Sequence, residues 1–257
     1  MFSLDRKTRK LFYEDPLSFQ HAAKVVKLGR DFVELDQTVA YPEGGGQDPD
    51  HGAFVLPDGR IIRFVHVRKM YGNRAPLPGF PDISVDGVIE HVICAEDLPH
   101  LQTLQPGMDV VVRIDRLRRA QLSLSHTASH LLYLGIGAVR PDAIAETIGC
   151  HIAIDSARFD FWIADRFTPE EIEEIARLAN AYIGRNSSVE TYAHEAHVDA
   201  RYWRCEGQVI PCGGTHIAST GPVQHIEVRR KSVGKGKERV SCSFPLSRAD
   251  LLVDLYH

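Results

Sequence analysis

The sequence predicts an α+β fold, with short strands over the first ~115 residues followed by helices on a mostly antiparallel sheet. Three observations carry this. Short apolar runs broken by glycine and proline crowd the amino-terminal part. Two long runs of helical periodicity appear only after residue 115, and strand-like segments surround the second of them.

In chain order, residues 19–41 read as two strands broken at Gly29-Arg30-Asp31. GAFVL and RIIRFVHV flank Pro57-Asp58-Gly59, a turn composition between strand-like runs. The stretch 71–82, YGNRAPLPGFPD, is a proline-rich loop, and two further runs follow Gly87 and Gly107. This punctuation suits a small barrel or sandwich. From 116 to 134, RLRRAQLSLSHTASHLLYL has no proline or glycine and sets Leu117, Leu124, Ala128, Leu131 and Leu132 near one helical face. Thr168-Pro169-Glu170-Glu171 opens a second helix with an N-cap, a proline in the first turn and a capping-box glutamate. That helix ends at Gly184. Strands are expected around 147–154, 158–163, 187–193, 223–229 and 239–244, and ADLLVDLY closes the chain as a short helix.

Composition narrows the function classes. The 257 residues allow one large or two modest domains, and 44% hydrophobic with 25% charged residues is ordinary for a globular protein. No apolar run approaches the roughly 20 residues that span a membrane. The amino terminus lacks the continuous apolar stretch of a signal peptide. Five scattered cysteines point to reduced thiols and a cytoplasmic setting. The net charge of −4 advertises no nucleic-acid partner, yet basic residues cluster at Arg116–Arg119 and Arg229–Arg239. Such runs are more often solvated faces than binding sites.

His126 and His130, four apart on the first helix, can share an ion. The pair alone is weak, because 13 histidines produce such spacings by chance. Cys212-Gly213-Gly214-Thr215-His216 adds a thiolate and an imidazole on a glycine-rich stretch that can fold back onto one ion. The combined His₃Cys set suits zinc better than magnesium or calcium. Thr127 stands where a zinc protease would carry its glutamate base, so that chemistry is excluded.

These residues resemble the editing domain shared by alanyl-tRNA synthetases and the free-standing AlaX proteins. The likeness rests on His126-Thr-Ala-Ser-His130, on Cys212-Gly-Gly-Thr-His216 and on the glycine-rich Thr38-Val-Ala-Tyr-Pro-Glu-Gly-Gly-Gly-Gln47. It extends to Ala157–Phe161 and to Gly234–Arg239. The resemblance implies a β-barrel-like domain (1–115) carrying the glycine-rich motif, then an α/β zinc-containing editing domain (116–257). It also implies a stand-alone deacylase, since the chain is too short to include an aminoacylation domain. The substrate would be alanine-acceptor tRNA mischarged with serine or glycine, and one zinc would be held by His126, His130, Cys212 and His216. Thr38 is the candidate reader of the seryl hydroxyl, with Gln47 and Thr127 as polar partners of the attacking water or carbonyl. Gly44, Gly45 and Gly46 would bring backbone N–H groups close to the substrate. Lys235, Lys237 and Arg239 would meet phosphates of the acceptor end. Ala40 stands where the family commonly has an aromatic residue, which bears on the choice between serine and glycine. Zinc could activate water or only hold the substrate. Four protein ligands also suit a structural ion in a non-catalytic RNA-binding protein, and a hydrolase of another ester is a third reading.

Overall fold

A computed structural model describes residues 6–80, 83–244 and 252–257. Six strands close into an antiparallel barrel: β1 (Gln20–Leu28), β2 (Phe32–Leu35), β3 (Gly52–Val55), β4 (Ile61–Met70), β5 (Val88–Ile93) and β6 (Asp109–Ile114). Their order is β6-β1-β2-β5-β4-β3, with β3 pairing β6 to complete the circle. Alternation along β4 sends Ile62, Phe64 and Val67 inward while Ile61, Arg63 and Val65 face out. The barrel interior also buries Val33, Phe54, Ile89 and Val112.

Two long helices and two sheets dominate the rest of the described residues. The first helix, α1 (Arg116–Val139), starts where Asp115 caps the Arg118 N–H at 3.1 Å. It runs five residues past the expected end at 134, through Gly135 and Gly137, and stops ahead of Pro141. Gly135 lets α2 (Pro169–Gly184) approach, because a Cβ there would lie 2.8 Å from the Ile175 carbonyl. The predicted capping box of α2 is present, with Thr168 and Glu171 exchanging bonds at 2.8 and 3.2 Å.

Behind the helices, β7 (Thr147–Ile152), β8 (Ser156–Trp162), β12 (Glu227–Gly234) and β13 (Lys237–Ser243) form an antiparallel sheet in the order β7-β8-β13-β12. A three-stranded meander, β9 (Glu190–Ala193), β10 (Arg201–Cys205) and β11 (Gln208–Pro211), stands beside it. The β10–β11 hairpin has no counterpart in the sequence-based expectations. The second core gathers Leu124, Leu131 and Leu132 of α1 with Phe161, Trp203 and Val240. Of the expected terminal helix, residues 249–251 lie outside the described residues, and Val253–Leu255 form one 3-10 turn. Among the described residues, no helix is long and apolar enough to cross a membrane.

Two features join barrel and helices. The segment 41–50 crosses from the barrel to β7, where the Ile152 N–H donates to the Gly46 carbonyl at 2.7 Å and the Asp48 N–H to the Ile152 carbonyl at 3.0 Å. Fully buried Arg119 of α1 pairs with fully buried Asp50 at 2.5 Å and donates to the Val39 carbonyl at 2.7 Å. Asp50 in turn accepts the Tyr41 N–H at 2.7 Å. The glycine-rich segment is thereby tied to the helix that carries the paired histidines.

Candidate metal centre

One turn of α1 separates His126 from His130, and their ring centroids lie 5.0 Å apart. The β10–β11 hairpin delivers the other pair. Cys212 follows β11 directly, and its N–H donates to the Arg201 carbonyl at 2.8 Å across the hairpin. Gly213 and Gly214 then turn the chain over the His126 ring. A Cβ at Gly214 would overlap that ring and come within 2.9 Å of Gln47 Oε1, so glycine is required here. The ligand atoms of His126, His130, Cys212 and His216 all lie within 4.8 Å of one another. Sequence elements 86 residues apart thus converge: Cys212 Sγ is 3.4 Å from both His126 Nε2 and His216 Nε2.

Hydrogen bonds behind the rings settle which nitrogens face inward. Gln47 Oε1 accepts from His126 Nδ1 at 2.7 Å and from the Thr215 N–H at 2.9 Å, while its Nε2 donates to Thr215 Oγ1 at 3.0 Å. That carbonyl holds the proton on Nδ1 and leaves the Nε2 lone pair free toward Cys212. Thr127 Oγ1 donates to the Ser123 carbonyl at 2.9 Å, so it accepts from His216 Nδ1 at 3.3 Å and from the Ile217 N–H at 3.2 Å. His216 Nε2 is left unprotonated in the same way. His130 packs its ring 4.7 Å from that of Trp203, and among the described residues its buried Nδ1 has no hydrogen-bond partner.

Burial sets the charges. Desolvation pushes His126 down to about 3 and holds His130 and His216 well below the ordinary histidine range, so all three rings are neutral. The same burial pushes the Cys212 thiol up to about 12, opposed by the Gly214 N–H. A bound cation reverses that preference by favouring the thiolate. Three neutral imidazoles and one ionisable sulfur are a donor set that could hold a metal ion.

The cluster forms part of the wall of a cavity of about 700 Å³. His126, His130 and Cys212 line it with Gly44, Gly45, Tyr41 and Tyr133, and Lys69, Phe80, Asp199 and Arg201 extend the lining. The other sequence candidates lie elsewhere. Gln47 and Thr127 are fully buried behind the imidazoles and do not line the cavity. Thr38 is also fully buried: its hydroxyl, 2.9 Å from His91 Nε2, accepts the Ala40 N–H at 3.0 Å. Gly46 (φ +84°) turns the loop against Cys150. Arg239 is held by Asp160 at 2.6 and 3.0 Å on the outer sheet. Lys237 lies 5.1 Å from the Trp162 ring centroid, and Lys235 is exposed in the β12–β13 turn.

Sequence reasoning missed the far lining of the cavity. Lys69 lies on one segment and Asp199 with Arg201 on another, and no motif spacing links them. Thr215 was within reach, because it sits inside Cys212–His216.

Residues 201–241 match the model of the family described as the threonyl and alanyl tRNA synthetase second additional domain. This stretch contains the β10–β11 hairpin, Cys212 and His216. Similarity to known proteins extends further. The alanine–tRNA ligase of Pyrococcus furiosus is 34% identical over 253 residues, covering 91% of this chain and 25% of the ligase. That of Ignicoccus hospitalis is 32% identical over 240 residues, 86% of this chain and 24% of the ligase. The alanyl-tRNA editing protein AlaX-M of Pyrococcus horikoshii is 28% identical over 235 residues, 91% of this chain and 96% of that protein. The chain spans about a quarter of the length of the ligases it matches. Likeness thus runs through barrel and metal centre alike: the chain is similar to alanine–tRNA ligases over a quarter of their length and to a free-standing alanyl-tRNA editing protein over almost all of its length.

Proposed function

We propose that this protein is an aminoacyl-tRNA deacylase that hydrolyses the ester of Ser-tRNA(Ala), with Gly-tRNA(Ala) as a second substrate. The observation that carries the reading is a His₃Cys cluster in the wall of a cavity that the glycine-rich loop also borders. Zinc is the ion we assign. A tetrahedral zinc with Zn–N near 2.0–2.1 Å and Zn–S near 2.3 Å sets N···S edges at roughly 3.6 Å, and two such edges here measure 3.4 Å. His126, His130, Cys212 and His216 would hold it.

When bound, zinc supplies Lewis acidity to the cavity wall. The chain's own groups do the rest. Gly44 and Gly45 carry no side chain to keep the ester at a distance from backbone N–H groups. Tyr133, Ile152 and Phe159 give the cavity an apolar wall that limits bulk water. Gln47 and Thr127, proposed from sequence as partners of water or carbonyl, act instead as positioning residues that orient His126 and His216. Thr38 orders the strand end that leads into the glycine-rich loop, through the Ala40 N–H.

Lys235, Lys237 and Arg239 lie outside the cavity; the two lysines suit contacts to phosphates further along the acceptor, whereas Arg239 is engaged by Asp160. Residues 1–115 and 116–257 are taken as two domains joined through Arg119–Asp50, and a cytoplasmic setting follows from the tRNA substrate.

A specific observation favours a second reading. Four protein ligands saturate a tetrahedral ion, as in a structural site of an RNA-binding protein. A deacylation panel separates the two. The protein is incubated with alanine-acceptor tRNA charged with serine, glycine or alanine. Release of serine well ahead of alanine supports the deacylase. Salt-sensitive binding with no release of any amino acid refutes it and leaves the binding protein.

A further inference from the structure

Arg201, at the start of β10, lines the cavity beside Cys212: its carbonyl accepts the Cys212 N–H at 2.8 Å. Its guanidinium stacks over the Tyr13 ring at 4.8 Å from the centroid. Among the described residues no ion pair or hydrogen bond reaches that guanidinium, whereas Arg204, Arg185 and Arg239 nearby in sequence or fold all hold carboxylates. Tyr13 also touches the metal-centre loop, since its hydroxyl lies 3.0 Å from where a Cβ of Gly213 would be.

The adjoining wall carries further positive charge. Asp199 is 3% exposed and accepts from Lys10 Nζ at 2.6 and 2.7 Å, from Lys69 Nζ at 3.3 Å and from the Asp86 N–H at 2.5 Å. One carboxylate thus faces two ammonium groups, of which Lys69 lines the cavity. Burial lowers the Arg201 guanidinium from its ordinary range, opposed by Tyr13 and by the Asp199 carboxylate that Lys10 and Lys69 also share.

We infer that Arg201, supported by the Lys69–Asp199–Lys10 group, is the binding site for the 5′ phosphate of the nucleotide whose ribose carries the ester. This rests on the deacylase reading. The chemistry fits the placement: in a terminal nucleotide the 5′ phosphate and the acyl ester are separated by a single ribose. Arg201 and Cys212 are lateral neighbours in one cavity wall. Stacking on Tyr13 pre-orients the planar guanidinium and leaves its N–H edges free for a bidentate anion. An aminoacyl ester has no free carboxylate, so the phosphate is the anion that the substrate offers.

The test compares two minimal substrates, 3′-O-seryl-adenosine and its 5′-monophosphate, on zinc-loaded wild type, Arg201→Met and Arg201→Lys. Zinc content and unfolding midpoint are recorded for each protein. Wild type is expected to favour the phosphorylated compound. In Arg201→Met, KM for that compound rises roughly 10- to 100-fold with kcat within about twofold, and kinetics on seryl-adenosine stay unchanged. Arg201→Lys recovers part of the loss. Equal losses on both compounds, or no wild-type preference for the phosphate, overturn the inference. An uncharged CCA trinucleotide provides a binding readout without turnover. If no compound is hydrolysed, the deacylase reading fails by itself, and an undiminished affinity of Arg201→Met for CCA then sinks the phosphate site as well.

Discussion

Replacing Gln47 by Met removes the group that ties the barrel's loop to the metal centre while keeping side-chain length. In the native protein Gln47 Oε1 satisfies His126 Nδ1–H at 2.7 Å and the Thr215 N–H at 2.9 Å, and all three residues are buried. A thioether or methyl group accepts neither, so two buried donors are left without partners. Each orphaned donor costs about 1–3 kcal/mol, which sums to roughly 2–6 kcal/mol of folding stability. Thr215 Oγ1 is less affected, because Ser123 still donates to it at 2.9 Å. A second loss falls on the ion. Without the Oε1 acceptor, nothing holds the proton on Nδ1, and losing such an outer partner typically weakens metal affinity about 10- to 100-fold. Gln47→Glu keeps both acceptor bonds and should hold zinc within about tenfold of wild type. Urea unfolding in EDTA measures the first effect, and zinc competition against a fluorescent chelator measures the second. The reasoning fails if Gln47→Met unfolds at the wild-type midpoint or binds zinc within threefold of wild type.

Three other outcomes are expected. Arg119→Met strands the fully buried Asp50 carboxylate and costs about 3–5 kcal/mol; adding Asp50→Asn recovers much of it, and a single-variant loss below about 1 kcal/mol in urea unfolding contradicts the buried-pair assignment. Gly214→Ala puts a Cβ onto the His126 ring and lowers zinc affinity more than tenfold, whereas Gly45→Ala, with φ +59° but open space around it, costs only about 1 kcal/mol of stability and leaves zinc bound. His91, fully buried in the barrel, is pushed down to about 4 by desolvation. Its folded value lies below the unfolded one, so its contribution is complete above pH 6.5 and is lost as pH falls toward 4. Wild type should lose about 2 kcal/mol more than His91→Gln between pH 7 and pH 5; parallel stability curves for the two proteins would refute the assignment.

Local chemistry made much of this protein legible before any coordinates. Helix α1 and the capping box of α2 follow from periodicity and cap residues, which act over one or two turns. The spacing of His126 with His130 and of Cys212 with His216 limited the ions that could bind, because ligand type and local reach are properties of the chain itself. The β10–β11 hairpin was hidden because Tyr202, Trp203 and Cys205 are followed by Glu206-Gly207 without a long alternating run, and pairing to β9 completes it.

Tertiary structure decided how those pieces act. The roles of Gln47 and Thr127 depend on which face of an imidazole each meets, and that is fixed by the docking of segment 41–50 on β7 and by the return of Thr215 and His216 over α1. That the Arg201 guanidinium makes no ion pair among the described residues is likewise a fact about its neighbours, since only folding brings Tyr13, Cys212 and the Lys10–Asp199–Lys69 group around it. Residue type sets which bonds a side chain can make; burial and long-range proximity select which of them are made, because a buried donor must find its partner wherever the fold supplies one.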